Sequence, residues 1–352
     1  MRLAIATDAW APQVNGVVRT LTETISRLQA RGYEIEVVAP NRFTTLPCPG
    51  YSEIRLALAP RFGVRKILGA FQPDIVHIST EGPIGWSARA WCLKHDVPFT
   101  TAFHTRFPEY VAARTHLSPD FIWPIMRQFH KHSKAVLTAT PSLREELEGR
   151  GISNTQLWSR GIDRRLFHPE QPAHPRLKYL AKPILLSVGR VAIEKNLEAF
   201  LNADVPGTKV VVGDGPARAA LEAKYPDAIF LGTRQGTELA SIYASADVFV
   251  FPSKTDTFGL VMLEALACGV PVAGYPVQGP VDVIGADGRG PNGQLKRAIG
   301  CLRTDLGDAI KGAERLSRED AANYGAQFCW DTCTDQFVTG IAQAASHVEM
   351  AA

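Results

Sequence analysis

The sequence predicts an α/β protein built from two doubly wound, parallel-sheet domains. Three observations carry that expectation. Short β-rich runs alternate with longer segments of helical period, the alternation occurs in two separate series, and a proline-rich stretch divides them. Parallel strands cannot be joined by a tight turn, so each needs a crossover, and alternation of strand and helix signals is how that need reads in a sequence.

With 352 residues, the chain has room for two hydrophobic cores at the roughly 100 to 200 residues a domain usually takes. The first series pairs a strand over residues 3–7 with a helix over 17–31, then a strand at 35–39. It continues with a strand at 75–79 and helix at 85–95, a strand at 99–103, and a strand at 135–139 with helix at 142–150. Residues 168–175, with three prolines and no apolar period, read as an exposed linker. The second series places strands at 184–188, 209–212, 228–231, 248–251 and 270–273, with helical segments between them. The expected division is a first domain at 1–167, a linker at 168–182, a second domain at 183–325, and a helical end at 326–352 that can cross back to the first domain. Trp330 and Phe337 are its candidate anchors.

Composition narrows the classes. Hydrophobic residues make up 45% and charged residues 21%, as in ordinary globular chains, which argues against disorder. A formal net charge of +3 is too small to point to nucleic acid, though it permits a local basic face toward phosphates or anionic lipid. The six cysteines are scattered, so no disulfide scaffold is implied, and Cys329 and Cys333 read as neighbours on one helix face rather than as a metal site. The apolar run at residues 3–6 is too short for a signal peptide, and no stretch approaches the roughly 20 apolar residues that span a bilayer. The expectation is a cytoplasmic protein, at most peripheral on the cytoplasmic face of a membrane.

Ligands of open parallel sheets bind beyond the carboxyl ends of the strands, where helix N-termini present unsatisfied N–H groups and a positive dipole end. The loops after the strands are therefore the candidate sites. After the strand at 248–251 the loop delivers Asp256 before a helix, and Gly259 would let a phosphate approach that helix's first-turn amides. Glu264 lies eight positions after Asp256, about two turns into that helix, where a carboxylate can accept from the paired hydroxyls of a ribose. A helix cap plus one solvated acid is the competing reading. After the strand at 184–188, Gly189-Arg190 is followed five residues later by Lys195. Two cations converging beyond a strand suit a diphosphate leaving group, and two surface cations are the alternative. Gly213, in Val212-Gly213-Asp214-Gly215-Pro216, makes a third glycine turn, but Pro216 and Arg218 interrupt a dinucleotide fingerprint, so NAD is disfavoured. In the first series, Asn15-Gly16-Val17 opens a helix and His104 ends a strand.

Cations lie beside apolar groups in two places. Arg61, Arg65 and Lys66 flank Phe62 and Leu68, while Phe121, Trp123, Met126 and Phe129 run beside Arg127, His130, Lys131, His132 and Lys134. Either could be an interfacial element on anionic lipid or a core stripe with a solvated basic edge.

Together these residues resemble glycosyltransferase family 4, retaining enzymes of the GT-B fold, over nearly the whole chain. The segment 8–20 around Asn15-Gly16-Val17 looks like the glycine loop of the branch that holds sulfoquinovosyl-, glucosyl- and glucuronosyl-diacylglycerol synthases and related mannosyltransferases. Asp256 and Glu264 fall on the family's Glu-seven-residues-Glu element, with Asp in place of the commoner, one-methylene-longer Glu. The resemblance implies two Rossmann-like domains facing a central cleft. It assigns Arg190, Lys195 and the amides around Phe258 to Val261 to the diphosphate, Glu264 to the ribose, and Asp256 to hydroxyls of the transferred sugar. Gly16 would let the first domain approach the donor, and His104 would lie beside the anomeric centre. Residues 160–163 resemble the family's linker entry, and Trp330 the aromatic of its final helices.

No metal or bound cofactor is expected, because Arg, Lys and helix amides can supply the charge. The co-substrate would be a nucleotide-sugar, UDP-glucuronate or UDP-glucose, and the acceptor a membrane lipid such as diacylglycerol or ceramide at an anionic surface. Two alternatives stand beside that reading: a GDP-mannose-dependent mannosyltransferase, and a sugar-nucleotide epimerase or non-catalytic nucleotide-binding module.

Overall fold

The computed structural model describes residues 1–13, 15–48, 51–109 and 118–349; Val14, inside the first glycine loop, lies outside them. The chain forms two compact units, Met1–Ser159 with Trp330–Ala352, and Arg160–Cys329.

In the first unit, β1 (Arg2–Ala6), β2 (Glu34–Val38), β5 (Ile75–Ile78), β6 (Phe99–Phe103), β7 (Val136–Thr138) and β8 (Thr155–Leu157) form one sheet in the order β2-β1-β5-β6-β7-β8. Every pairing in it is parallel. Between β2 and β5 the chain inserts an antiparallel hairpin, β3 (Thr45–Cys48) and β4 (Tyr51–Ala57), which the sequence reading left out. The second unit repeats the plan with β9 (Ile184–Val188), β10 (Thr208–Val212), β11 (Ile229–Phe230), β12 (Val248–Phe251), β13 (Val272–Gly274) and β14 (Gly300–Leu302), ordered β11-β10-β9-β12-β13-β14. The strand order reverses between β1 and β5 in one sheet and between β9 and β12 in the other. Loops leaving those strands part to opposite sides at such a point and leave a crevice for a ligand.

The central strands are buried on both faces; Ile75, Val76 and Ile78, and Val248, Phe249 and Val250, are all inaccessible to solvent. That is why their sequences are continuously apolar rather than alternating.

The domain division falls at Ser159/Arg160 instead of within 168–182. The proline-rich stretch packs onto the second unit. Phe167 and Leu177 are buried, the carbonyl of Pro172 accepts from Ser241 Oγ at 2.8 Å, and the His174 amide donates to Ser245 Oγ at 2.8 Å. Serines on the helix Gly236–Ser245 thereby satisfy the backbone groups of a segment too rich in proline to form a ladder of its own.

The last helical segment is two helices, Arg318–Gly325 in the second unit and Trp330–Glu349 in the first. Ionic contacts from Arg27 to Asp331 (3.2 Å) and from Arg31 to Asp335 (2.6 Å) tie the final helix to the helix Gly16–Ala30. Phe337 packs edge-on against His77 of β5. Cys329 precedes that helix and Cys333 lies buried within it, so the two do not share a helix face. Among the described residues no cluster of three His, Cys, Asp or Glu could hold a metal ion, and no helix is long and apolar enough to cross a membrane.

Candidate functional site

The second unit's switch point brings together the cations and acids read from the sequence. β9 ends at Val188, and Gly189 turns the chain with φ +151°. A side chain at Gly213, after β10, would place its Cβ 1.8 Å from the Gly189 carbonyl oxygen, and one at Gly215 would lie 2.4 Å from that of Val191. These glycines therefore let two post-strand loops run backbone against backbone. Val191 and Ala192 are buried, and one tight turn, Ile193–Lys195, follows them and carries Lys195. Asn196 in a left-handed conformation follows, and its side-chain nitrogen Nδ2 donates to the Pro252 carbonyl at 3.1 Å, tying the loop after β9 to the loop after β12.

Across that tie, Lys195 Nζ lies 2.5 Å from Asp256 Oδ1. Burial alone would raise the Asp256 carboxyl, but the Lys195 ammonium, bonded to it, the nearby Ser253 hydroxyl and the charge of Arg190 together outweigh burial and hold it below the usual carboxylate range. The carboxylate's other oxygen, Oδ2, is buried and makes no hydrogen bond among the described residues. One oxygen thus holds a cation, and the other has acceptor capacity for a hydroxyl.

Gly259 starts the next helix, Leu260–Ala267, with φ +86°. A Cβ there would meet Met262 at 2.7 Å and Phe251 at 2.9 Å, and no side chain caps this N-terminus. The first-turn residues Leu260 and Val261 are half-buried, as is Asp256, and an uncapped helix start of this kind attracts an anion. Phe258 is buried behind them.

Glu264 differs from the solvated acid that was the competing reading. It is 2% exposed on a helix otherwise buried through apolar residues, and its Oε2 accepts from Tyr243 Oη at 2.9 Å. Tyr243, itself inaccessible, is braced by the rings of Phe167 and Phe249. A carboxylate placed so deep needs its hydrogen bonds, because an uncompensated one costs several kcal/mol on the order-of-magnitude scale. The nearby Cys268 thiol is pushed up to about 12, first by burial and then by the Glu264 charge.

The first unit supplies Gly16 and His104. Asn15 caps the helix Gly16–Ala30 by accepting from the amides of Val17 and Val18 at 3.0 Å. A Cβ on Gly16 would meet nothing within 4 Å, so packing among the described residues gives no reason for glycine there. His104 follows β6, is 7% exposed, and lies against Trp158 with ring centroids 5.3 Å apart.

Sequence reasoning missed three residues here. Trp158 packs against His104 but lies outside any motif. Tyr243 supports Glu264 from a different helix. Asp8 caps the helix Pro83–His95 through the amides of Ile84 (2.9 Å) and Gly85 (3.3 Å) and accepts from Thr80 at 2.9 Å. Only Asp8 carried a signal, as a lone acid ending an apolar strand.

Of the two basic-aromatic segments, one is mostly core. Trp123, Met126, Phe129 and His130 are buried, and only Phe121 and Ile125 of that region are exposed apolar residues. On the helix Arg61–Phe71, Val64 and Leu68 face the core, while Phe62, at 77% exposure, stands among exposed Arg61, Arg65 and Lys66.

Residues 14–166 match the family described as Glycosyltransferase Family 4, and residues 182–302 match Glycosyl transferases group 1. The chain is similar to the sulfoquinovosyl transferase SQD2 of Arabidopsis thaliana, 32% identical over 80% of this chain and 61% of that protein, so it spans less than two thirds of that relative. It is 32% identical to a GDP-mannose-dependent alpha-mannosyltransferase of Corynebacterium glutamicum over 84% of this chain and 76% of the other. An alpha-monoglucosyldiacylglycerol synthase of Streptococcus pneumoniae is 26% identical over 78% and 71% of the two chains. Among solved structures, the sucrose-phosphate synthase of Thermosynechococcus elongatus shares the fold with a TM-score of 0.75 at 21% identity, covering 100% of this chain and 99% of that one.

Proposed function

The chain belongs to glycosyltransferase family 4, and on that premise we propose that it moves a hexose or hexuronic acid from UDP-glucose or UDP-glucuronate to a lipid hydroxyl, diacylglycerol or ceramide, with retention. It is a glycosyltransferase of the GT-B type, and that membership removes the epimerase and binding-module readings.

The observation that carries the donor reading is the convergence of Arg190, Lys195, Asp256 and an uncapped helix N-terminus at one switch point. As the anomeric C–O bond breaks, its electron pair and the negative charge pass to the diphosphate. Arg190, Lys195 and the amides of Leu260 and Val261 are the groups we assign to that charge, the role a divalent cation could otherwise take. Asp256 keeps Lys195 in place with Oδ1 and offers Oδ2 to a sugar hydroxyl. Glu264, oriented by Tyr243, is assigned to the ribose. The acceptor oxygen then attacks from the face the diphosphate is leaving, and its proton passes to a phosphate oxygen.

The lipid acceptor is supported by exposed Phe62 within the basic surface of Arg61, Arg65 and Lys66, since one apolar anchor among cations suits an anionic interface. It is also supported by the diacylglycerol-directed streptococcal relative. A second reading, GDP-mannose as donor, is favoured by the corynebacterial relative.

Labelled UDP-glucose, UDP-glucuronate and GDP-mannose, each incubated with dioleoylglycerol or ceramide in mixed micelles, test both. Label passing from a UDP-sugar into lipid is the expected result. Label passing only from GDP-mannose selects the second reading, and no label in lipid from any donor overturns the lipid assignment. Transfer should persist in EDTA, and its loss on chelation would overturn the charge assignment to Arg190 and Lys195.

A further inference from the structure

The loop after β12 carries one cation that the donor chemistry leaves unused. That loop is pinned at both ends: the Pro252 carbonyl accepts from Asn196 Nδ2 at 3.1 Å, and a Cβ on Gly279, after β13, would lie 2.6 Å from the Asp256 carbonyl oxygen. Between those points Ser253 is buried and Lys254 is exposed.

Lys254 Nζ lies 4.4 Å from the centre of the Tyr275 ring. Tyr275 directly follows β13 and is half-buried against the core of the second unit, so its ring face gives the ammonium a fixed seat. Among the described residues no acid neutralises this cation. Lys195 pairs with Asp256, Lys182 with Asp247 and Lys224 with Glu198, whereas Lys254 has only the ring. A ring steers an ammonium but leaves it charged, with N–H donors to spare.

Strand order says which part of a donor this cation meets. β12 lies between β9 and β13. Arg190 and Lys195 follow β9, Asp256 follows β12 and Tyr275 follows β13, so Lys254 is drawn to the side of its loop away from the cations assigned to the diphosphate. A donor with its diphosphate at Arg190 and Lys195 and a sugar hydroxyl at Asp256 turns the rest of that sugar toward Lys254. Asp256 does not repel a second acid there, because Lys195 neutralises it. A neutral hexose leaves the Lys254 charge unanswered, and a hexuronate brings a carboxylate to it.

We propose that Lys254, seated on Tyr275, binds the carboxylate of a hexuronic acid, so that the site selects UDP-glucuronate over UDP-glucose. The inference rests on the UDP-sugar reading above and adds the residue that tells its two donors apart. Lys254 donates a charge-assisted hydrogen bond to the carboxylate and takes no part in the bond exchange.

Four proteins test it: wild type, K254R, K254Q and Y275L. Dissociation constants for UDP, UDP-glucose, UDP-glucuronate and GDP-mannose are measured by calorimetric titration near neutral pH, without acceptor. Wild type should bind UDP-glucuronate about tenfold more tightly than UDP-glucose, the scale of one charge-assisted hydrogen bond. K254R should keep that ratio within about threefold, K254Q should bring it to about one, and Y275L should cut it about threefold through loss of the ring. UDP carries no transferred sugar, so it reports on the nucleotide end alone and on whether each variant is folded. An unchanged ratio in K254Q would overturn the proposal. So would an equal weakening of UDP and UDP-glucuronate in K254Q, which would move Lys254 to the diphosphate. Wild type that binds both UDP-sugars equally well overturns the inference alone, whereas binding of GDP-mannose and neither UDP-sugar overturns the donor reading and the inference with it.

Discussion

Lys195 Nζ and Asp256 Oδ1 lie 2.5 Å apart, although 61 positions separate the residues in sequence. The cation assigned to the diphosphate is held in advance by the acid assigned to the sugar. Lys195→Ala removes a donor to the developing charge, so kcat should fall about 10²- to 10³-fold, as when one oxyanion donor is removed. D256N keeps the shape and loses the charge that places Lys195, and should lower kcat by a smaller factor. Steady-state kinetics on folded variants check both, and near-normal turnover in Lys195→Ala would remove the site assignment.

Glu264 and Tyr243 form a second buried couple. Y243F leaves Glu264 Oε2 without its phenol donor at 2% exposure. Stability should fall by about 1.5–3 kcal/mol, the scale of one hydrogen bond to a charged group. UDP affinity should weaken in parallel, because the same carboxylate is assigned to the ribose. Urea unfolding and UDP titration provide the two readouts, and unchanged affinity would separate Glu264 from the nucleotide.

Gly16 and Gly213 should respond oppositely to Ala. Among the described residues nothing lies within 4 Å of a Cβ at Gly16, so G16A should leave the melting temperature unchanged or raised, since Ala favours helix. Its transfer rate should still drop if the open space serves a ligand. At Gly213, with φ +133°, the Cβ would collide with the Gly189 carbonyl at 1.8 Å, so G213A should destabilise the second unit first and lose activity as a consequence. Thermal unfolding beside rate measurements distinguishes the two.

Asp8 sets a pH dependence in the first unit. Burial raises its carboxyl to about 6 from 3.8, against the lowering bonds from Ile84, Thr80 and Gly85, and the Glu81 charge adds to the rise. Because the folded value lies above the unfolded one, the folded state binds the proton more tightly. The resulting stability is present in full below pH 3.8 and is lost as pH rises through about 6. The change is on the order of 3 kcal/mol. The carboxyl 13C resonance of Asp8 should titrate near pH 6, and D8N should flatten the slope of stability between pH 4 and 7. A midpoint near 3.8 would show that the caps cancel the effect of burial.

Much of the candidate site was legible as a cluster, because its residues fall in short segments after strands. Arg190 and Lys195 stand five apart, and Asp256 and Glu264 eight apart, each in a loop that a βαβ pattern places at the carboxyl edge. The basic-aromatic stripe around Trp123 was less legible, since period alone cannot say which side of an amphipathic helix meets a core and which meets a partner. The structure put Trp123, Met126 and Phe129 inside. The proline-rich stretch at 168–175 likewise looked exposed, because the serines that satisfy it lie some 70 residues on.

By itself, then, the sequence determined two parallel α/β units and the loops in which charge gathers, because hydrophobic period and glycine turns are local properties. Tertiary structure decided which oxygen of Asp256 is taken and which is open, that Glu264 is buried against Tyr243, and that Lys254 lies over Tyr275. Those relations follow from strand order. β9 lies beside β12, and β12 beside β13, only once the sheets have formed, and no local pattern in the chain encodes which loops that order will bring together.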